Sequence, residues 1–298
     1  MSAQLLPPTT LASLANLELV ARTAVHGFLT GLHRSPHFGF SQEFREYRAY
    51  VEGDDPRFVD WNVYARTDRT YIRRYAGETN TRLMILIDAS ASMGYASTST
   101  AGVSKLQYAK FLAAALAYLG SRQHDPVGLI VFDEQLREVR PPASRSGSLQ
   151  GVIHAIERVT PGGGTDLDTS FRGFREHLVR RSLVALISDL YCDPAVLTRA
   201  IRPLSSQGHD VVVFQLLDPK EIAPYWEESV VLEDIETRAS VNVSPEFLRQ
   251  RYRKRLQEHL DALRAAAAGA GAHHVLLPTD QPLNEGLRRY LLFRQRRN

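Results

Sequence analysis

Cysteine is almost missing. Cys192 is the only one in 298 residues, which excludes an internal disulfide framework and any all-thiolate metal centre. Lysine is scarce too: Lys105, Lys110, Lys220 and Lys254 are the only four among 36 basic residues. An arginine bias of that kind follows genome composition as readily as chemistry, so it is no signal for nucleic acid. Long apolar runs are also lacking. The best, Phe111 to Leu119, lies between Lys110 and Arg122, well short of the ~20 apolar residues that a membrane span needs. The first charged residue is Glu18, and Pro7, Pro8, Thr9 and Thr10 interrupt any apolar leader; a cytoplasmic protein is expected. What is present, 44% hydrophobic and 23% charged residues with 19 Gly and 15 Pro, is ordinary globular usage, enough for one large α/β domain with appendages or for two small ones.

Net charge is +3, but residues 245–298 carry 11 Lys and Arg against 5 Asp and Glu. No nucleic-acid reader motif accompanies Arg288, Arg289, Arg294, Arg296 and Arg297, so a solvated helical face is the expected reading.

The pattern changes near residue 80. Beyond it, short apolar runs alternate with amphipathic stretches: a strand Leu83 to Ile87 ending at Asp88, a helix through Leu106, Ala109, Ala113, Leu116 and Leu119, strands at Val127 to Phe132 and Leu136 to Val139, and a helix from Ser148 to about Glu157. A turn at Pro161 to Gly164, a helix over Phe171 to Val179, a strand Leu183 to Ser188, a helix Pro194 to Leu204 and a strand Val211 to Leu216 follow. Strands alternating with helices predict an open, mostly parallel sheet flanked by helices, a Rossmann-like α/β class. Ser229 to Leu232 reads as an edge strand, Pro245 to Ala268 as one long helix capped by Ser244, and His274 to Leu277 as a last strand. Residues 1–80 read as an extension packed on a core of 81–298, with a helix from Leu11 into the early thirties and a strand at Tyr71 to Tyr75.

In open α/β sheets, ligands bind outside the carboxyl ends of the strands. Asp88-Ala89-Ser90-Ala91-Ser92 leaves such a strand end and offers one carboxylate and two hydroxyls between small alanines. Gly162-Gly163-Gly164-Thr165-Asp166 precedes a helix, and Ser188-Asp189 closes another strand. The donors Asp88, Ser90, Ser92, Thr165 and Asp189 are all oxygen, which suits a hard cation such as Mg²⁺ rather than zinc or copper. Other candidates carry less. Pro36 spoils a helical pair of His33 and His37, His273 and His274 point to opposite faces of a strand, and Cys192 reads as a small packed thiol. Asp166 and Asp168 fit the first turn of a helix better than a ligand role.

This combination resembles the metal-ion-dependent adhesion site (MIDAS) of von Willebrand factor A domains. Ser41 to Tyr50, Gly53-Asp54-Asp55-Pro56-Arg57, Asp60-Trp61, Ala65-Arg66, Glu78, Lys105 to Ala109, Asp125 to Leu129 with Phe132, and His209 to Val212 resemble the signature of the domain-of-unknown-function-58 family, from about Arg34 to the end. The resemblance implies a von Willebrand A-like core behind a family-specific amino-terminal extension, in prokaryotic proteins often encoded beside MoxR-type AAA+ ATPases, and it places this chain with the family's members that lack a membrane span. It implies Ser90, Ser92 and Thr165 as hydroxyl ligands of Mg²⁺ or Mn²⁺, with Asp88 and Asp189 binding directly or through water. The expected function is then a non-enzymatic, metal-dependent protein-binding module that engages an acidic residue of a partner, such as the ATPase or its client. The alternative is a divalent-metal-dependent hydrolase of phosphoesters. It is disfavoured because Ser90 stands where a dehalogenase-type loop needs a second Asp, and neither a GxSxG elbow nor a phosphate loop is present. Arg48, Arg57, Arg66, Glu43, Glu46, Asp54, Asp55, Asp60, Trp61 and Tyr50 of the signature read as ion pairs and hydrogen bonds bracing the extension rather than as a second site.

Overall fold

The computed structural model describes residues 6–32, 44–51, 59–75, 82–100, 102–178, 180–236, 238–247 and 251–295. The chain opens with α1 (Pro8–Ala12) and α2 (Leu17–Leu32). An antiparallel pair follows, β1 (Phe44–Ala49) with β2 (Tyr71–Tyr75), and α3 (Trp61–Thr67) lies between them in sequence. The α/β body is β3 (Arg82–Asp88), α4 (Lys105–Arg122), β4 (Val127–Phe132), β5 (Leu136–Ala143), α5 (Ser148–Arg158), α6 (Leu167–His177), β6 (Ser182–Ser188), α7 (Pro194–Ser206) and β7 (Asp210–Leu217). It is completed by α8 (Pro219–Ile222), a ribbon of β8 (Val230–Glu233) and β9 (Ser240–Val243), α9 (Pro245–Phe247), α10 (Arg253–Gly269), β10 (Ala272–Pro278) and α11 (Asn284–Gln295).

The main sheet has the order β10-β7-β6-β3-β4-β5. Every neighbouring pair is parallel except β4 with the outer β5, which is antiparallel and bulged where Pro141 and Pro142 interrupt the ladder. Side chains of β3 alternate between two cores. Leu83, Ile85 and Ile87 face a cluster built from α1, α2, α4, α5 and α11; Met84 and Leu86 face one built from α6, α7 and α10. This is the α/β class the sequence pattern predicts.

The central helix α4 is buried on nearly every side, the mark of a helix covered by other helices. Its Ala113, Ala114, Ala115 and Ala117 let neighbours approach closely, and α2 lies on it, burying Leu17, Val20, Ala21, Val25 and Phe28.

Several readings change. The amino-terminal helix is two helices, since α1 ends at Ala12 and α2 starts at Leu17. The stretch expected as a sheet edge at Ser229 to Leu232 instead pairs with β9 in a separate ribbon, because the edge beside β7 is taken by β10. Of the long helix expected over Pro245 to Ala268, the structure describes the start, α9, where Ser244 Oγ accepts from Phe247 N–H, and the stretch from Arg251 through α10, with Tyr252 in helical conformation; residues 248–250 lie outside the described residues. α11 is more than the solvated helical face expected of the basic carboxyl-terminal stretch. It buries Leu287, Tyr290 and Leu291, while Glu285 pairs with Arg288 and Arg289 on its outer face. Part of the family signature, from Ser41 to Glu43, from Gly53 to Arg57 and at Glu78, lies outside the described residues, as do His33 and His37; Asp60 is buried and receives Val63 N–H at the start of α3.

Candidate functional site at the strand ends

β3 and β6 are adjacent and in register, so their last residues emerge side by side at one edge of the sheet. Asp88, at the end of β3, is wholly buried. Its Oδ1 accepts from Ser90 N–H at 2.9 Å and its Oδ2 from Ser188 Oγ at 2.6 Å. Ser90 Oγ lies 3.1 Å from Ser92 Oγ, which donates to Asp189 Oδ2 at 2.8 Å. Asp88, Ser90, Ser92 and Asp189 therefore form one hydrogen-bonded chain.

The third loop is stitched to the first through its backbone. Gly162 N–H donates to Ala89 O and Ala91 N–H to Gly163 O, both at 2.9 Å. Gly163 has φ +76°, and a Cβ there would stand 2.7 Å from Asp133 Oδ2, so the close approach requires glycine. Thr165 follows, and Asp166 caps α6 by accepting from Thr169 N–H and Oγ1, as its place in the first turn suggests.

Thr165 reaches the rest of the site through a residue that no sequence motif marks. Glu236, in the turn between β8 and β9, accepts from Thr165 N–H at 3.0 Å on Oε2, and from Thr165 Oγ1 at 3.1 Å and Ser92 N–H at 3.4 Å on Oε1. A second residue, named in the family signature but given no role at the site, is Lys105, at the start of α4. Its buried ammonium donates to Asp189 Oδ2 and to Glu221 Oε1, each at 2.7 Å, and lies 4.7 Å from the Tyr191 ring centroid. A lysine in a helix's first turn opposes the helix dipole, and that misplacement is the signal the sequence offers. Burial alone would lower its pKa, but the charges of Asp189 and Glu221 and the two hydrogen bonds outweigh burial and hold it above the ordinary lysine value.

The backbone after Asp189 is strained: Leu190 is buried with φ +56°, which costs a β-carbon-bearing residue about 1–2 kcal/mol. It is held by Leu190 N–H donating to Ser188 Oγ and by Gln215 Nε2 donating to Asp189 O, with Gln215 Oε1 2.8 Å from His274 Nε2.

Burial first, then the negative charge of Asp189, pushes the Asp88 carboxyl up to about 7, against the lowering pull of its hydrogen bonds from Ser188 and Ser90. The folded state thus holds a proton that the unfolded state, with an ordinary carboxyl near 3.8, has released. Stability should therefore fall as pH rises from about 4 to about 7 and level off above that. Asp88→Asn, neutral at every pH, should flatten that slope in metal-free buffer, as urea midpoints taken across the range will show; an unchanged slope would assign the proton elsewhere.

Among the described residues no three His, Cys, Asp or Glu side chains are grouped as a metal site. A cation at this edge would rest on hydroxyls as well as carboxylates. The donors present fit a hard cation: they are all oxygen, and the raised Asp88 pKa marks negative charge that a cation would relieve.

The family model described as "Protein of unknown function DUF58" matches residues 46–262. The chain belongs to the DUF58 family. An uncharacterized protein of Mycobacterium tuberculosis, Rv1480, is 27% identical over 296 residues, covering 97% of this DUF58 chain and 91% of its own. Among solved structures, an aerotolerance-related membrane protein from Bacteroides fragilis aligns with a TM-score of 0.49 at 15% identity, over 72% of this chain and 99% of that one. The SpRpn10 VWA domain aligns with a TM-score of 0.42 at 13% identity, over 70% and 94%. At these scores the likenesses say nothing about activity. No helix among the described residues of this DUF58 protein is long and apolar enough to cross a membrane.

Proposed function

We propose that the chain is a non-enzymatic, cytoplasmic protein-binding module that uses a divalent cation at the strand ends to engage an acidic side chain of a partner. Asp88, Ser90, Ser92, Thr165 and Asp189 would hold Mg²⁺ or Mn²⁺, and the ion would supply a positive charge only partly neutralised by hydroxyl ligands, suited to a carboxylate. The observation that carries this reading is Glu236: a carboxylate from elsewhere in the chain already rests on Ser92 and Thr165. The same edge therefore suits a carboxylate from another protein. The family resemblance adds a candidate for that protein, a MoxR-type ATPase or its client.

The absence of catalysis is part of the proposal. The polar groups bonded around Asp88 are hydroxyls, carboxylates and one ammonium that bond one another, an arrangement suited to holding an ion. The test is calorimetry of Mg²⁺ and Mn²⁺ binding with affinity capture in Mg²⁺ against EDTA. Ser90→Ala with Ser92→Ala should abolish cation binding while the protein stays folded, and Thr165→Ala should impair capture more than folding. Equal cation affinity in the double variant would remove the site, and divalent-dependent phosphoester turnover lost in Asp88→Ala would replace the module with a hydrolase.

A further inference from the structure

The contacts of Glu236 define more than a place for a metal. Its two carboxylate oxygens are addressed separately, Oε2 by Thr165 N–H, Oε1 by Thr165 Oγ1 and Ser92 N–H. Three donors from two loops, reading both oxygens of a planar group, make a receptor for a carboxylate that needs no cation. The receptor is built without the ribbon that fills it. Ser92 and Thr165 are positioned by the stitching of Ala89 and Ala91 to Gly162 and Gly163, and by the Asp166 cap of α6.

The ribbon, in contrast, is lightly held. Among the described residues β8 and β9 pair only with each other, and Val231, Leu232, Ile235 and Val241 are all exposed, with Val243 the ribbon's buried side chain outside both core clusters. A two-stranded ribbon is marginally stable by itself, so withdrawing its turn disturbs neither core. Glu236 is half-buried and fixed in the turn by its own N–H donating to Asp234 Oδ1 at 2.8 Å.

We propose that Ser92 N–H, Thr165 N–H and Thr165 Oγ1 form a carboxylate seat, that Glu236 is its resident occupant in cis, and that a partner's Glu or Asp carried on a turn enters the same seat by displacing it. The proposal rests on the reading of this edge as a carboxylate-docking surface, and it does not require the metal. It makes the partner's motif resemble the element it replaces: an acidic residue at the tip of a tight turn. It also makes affinity depend on how often Glu236 is away, because a seat open for only a fraction of the time lowers apparent affinity by that fraction.

The test is an NMR titration of the full chain in EDTA, following the Thr165 and Ser92 amides as sodium acetate is added, with sodium chloride holding ionic strength constant. In wild type the seat is filled and acetate moves these amides little. Glu236→Ala empties it, and acetate should then shift both amides with half-saturation at least about tenfold lower than in wild type. Glu236→Gln keeps the side-chain volume and one accepting oxygen and should fall between; it carries the test if the alanine variant disturbs the turn. Equal titration of all three proteins would show that Glu236 does not occupy the seat, and no titration of either variant with the fold intact would show that there is no seat. Because divalent cations are absent throughout, acetate binding that survives alongside a failed Mg²⁺ titration removes only the metal, and the reverse removes only the seat.

Discussion

Replacing Lys105 with methionine should cost about 3–5 kcal/mol of stability at neutral pH, the usual effect of removing one partner from a buried ion pair. Methionine fills the space of the lysine stem, so packing is largely kept, and the loss isolates the charge. What remains is Asp189, 1% exposed, and Glu221 without their ammonium, beside an Asp88 already pushed towards protonation by burial and then by the charge of Asp189. For a chain of this size the melting temperature should fall by roughly 10 °C. Adding Asp189→Asn should recover part of the loss, since the two residues share one interaction. Under the metal reading, Mg²⁺ should raise the melting temperature of Lys105→Met more than that of wild type, because a dication replaces the missing charge. An unaltered melt in the single variant would mean that the ammonium contributes nothing to this edge.

Removing residues 1–80 should abolish cooperative folding. Leu11, Val20, Val25 and Phe28 are buried within the same cluster as α4, and burying such side chains contributes about 1.5–3 kcal/mol each. Their sum is comparable with the roughly 5–15 kcal/mol that separates folded from unfolded domains. The truncated protein would also bare the alanine-rich face of α4, a hydrophobic stripe that invites association. Calorimetry and size-exclusion chromatography check this: an undiminished two-state melt by a monomer would show that the extension is an appendage rather than a layer of the fold.

The alternation of apolar runs with amphipathic segments was enough to find the body of the sheet, because parallel strands buried on both faces leave unbroken runs such as Leu83 to Ile87. It was not enough to decide which sheet a strand joins. Ser229 to Leu232 has strand character, but its pairing with β9 is set by β10 having taken the place beside β7. β1 and α3 escaped because their charged and aromatic residues carry neither period cleanly. At the site, Asp88, Ser90 and Ser92 were legible as one short motif, and Thr165 and Asp189 as a glycine-led loop and a strand end. Glu236 was not, since it meets Ser92 across 144 positions of chain and sits in a turn whose composition suits any solvent-exposed hairpin. Lys105 could have been noticed from its place against the helix dipole, but Glu221 and Ser188 are given their roles only by the fold.

The outer strand β5 bears on self-association. Pro141 and Pro142 lack the N–H groups that an added strand would need, and the ladder is bulged. An approaching β-segment would find donors missing and a bulged ladder, two of the ways natural sheets avoid edge-to-edge aggregation. On that side the sheet ends without a template for growth, so filaments by strand addition are disfavoured there even at high concentration.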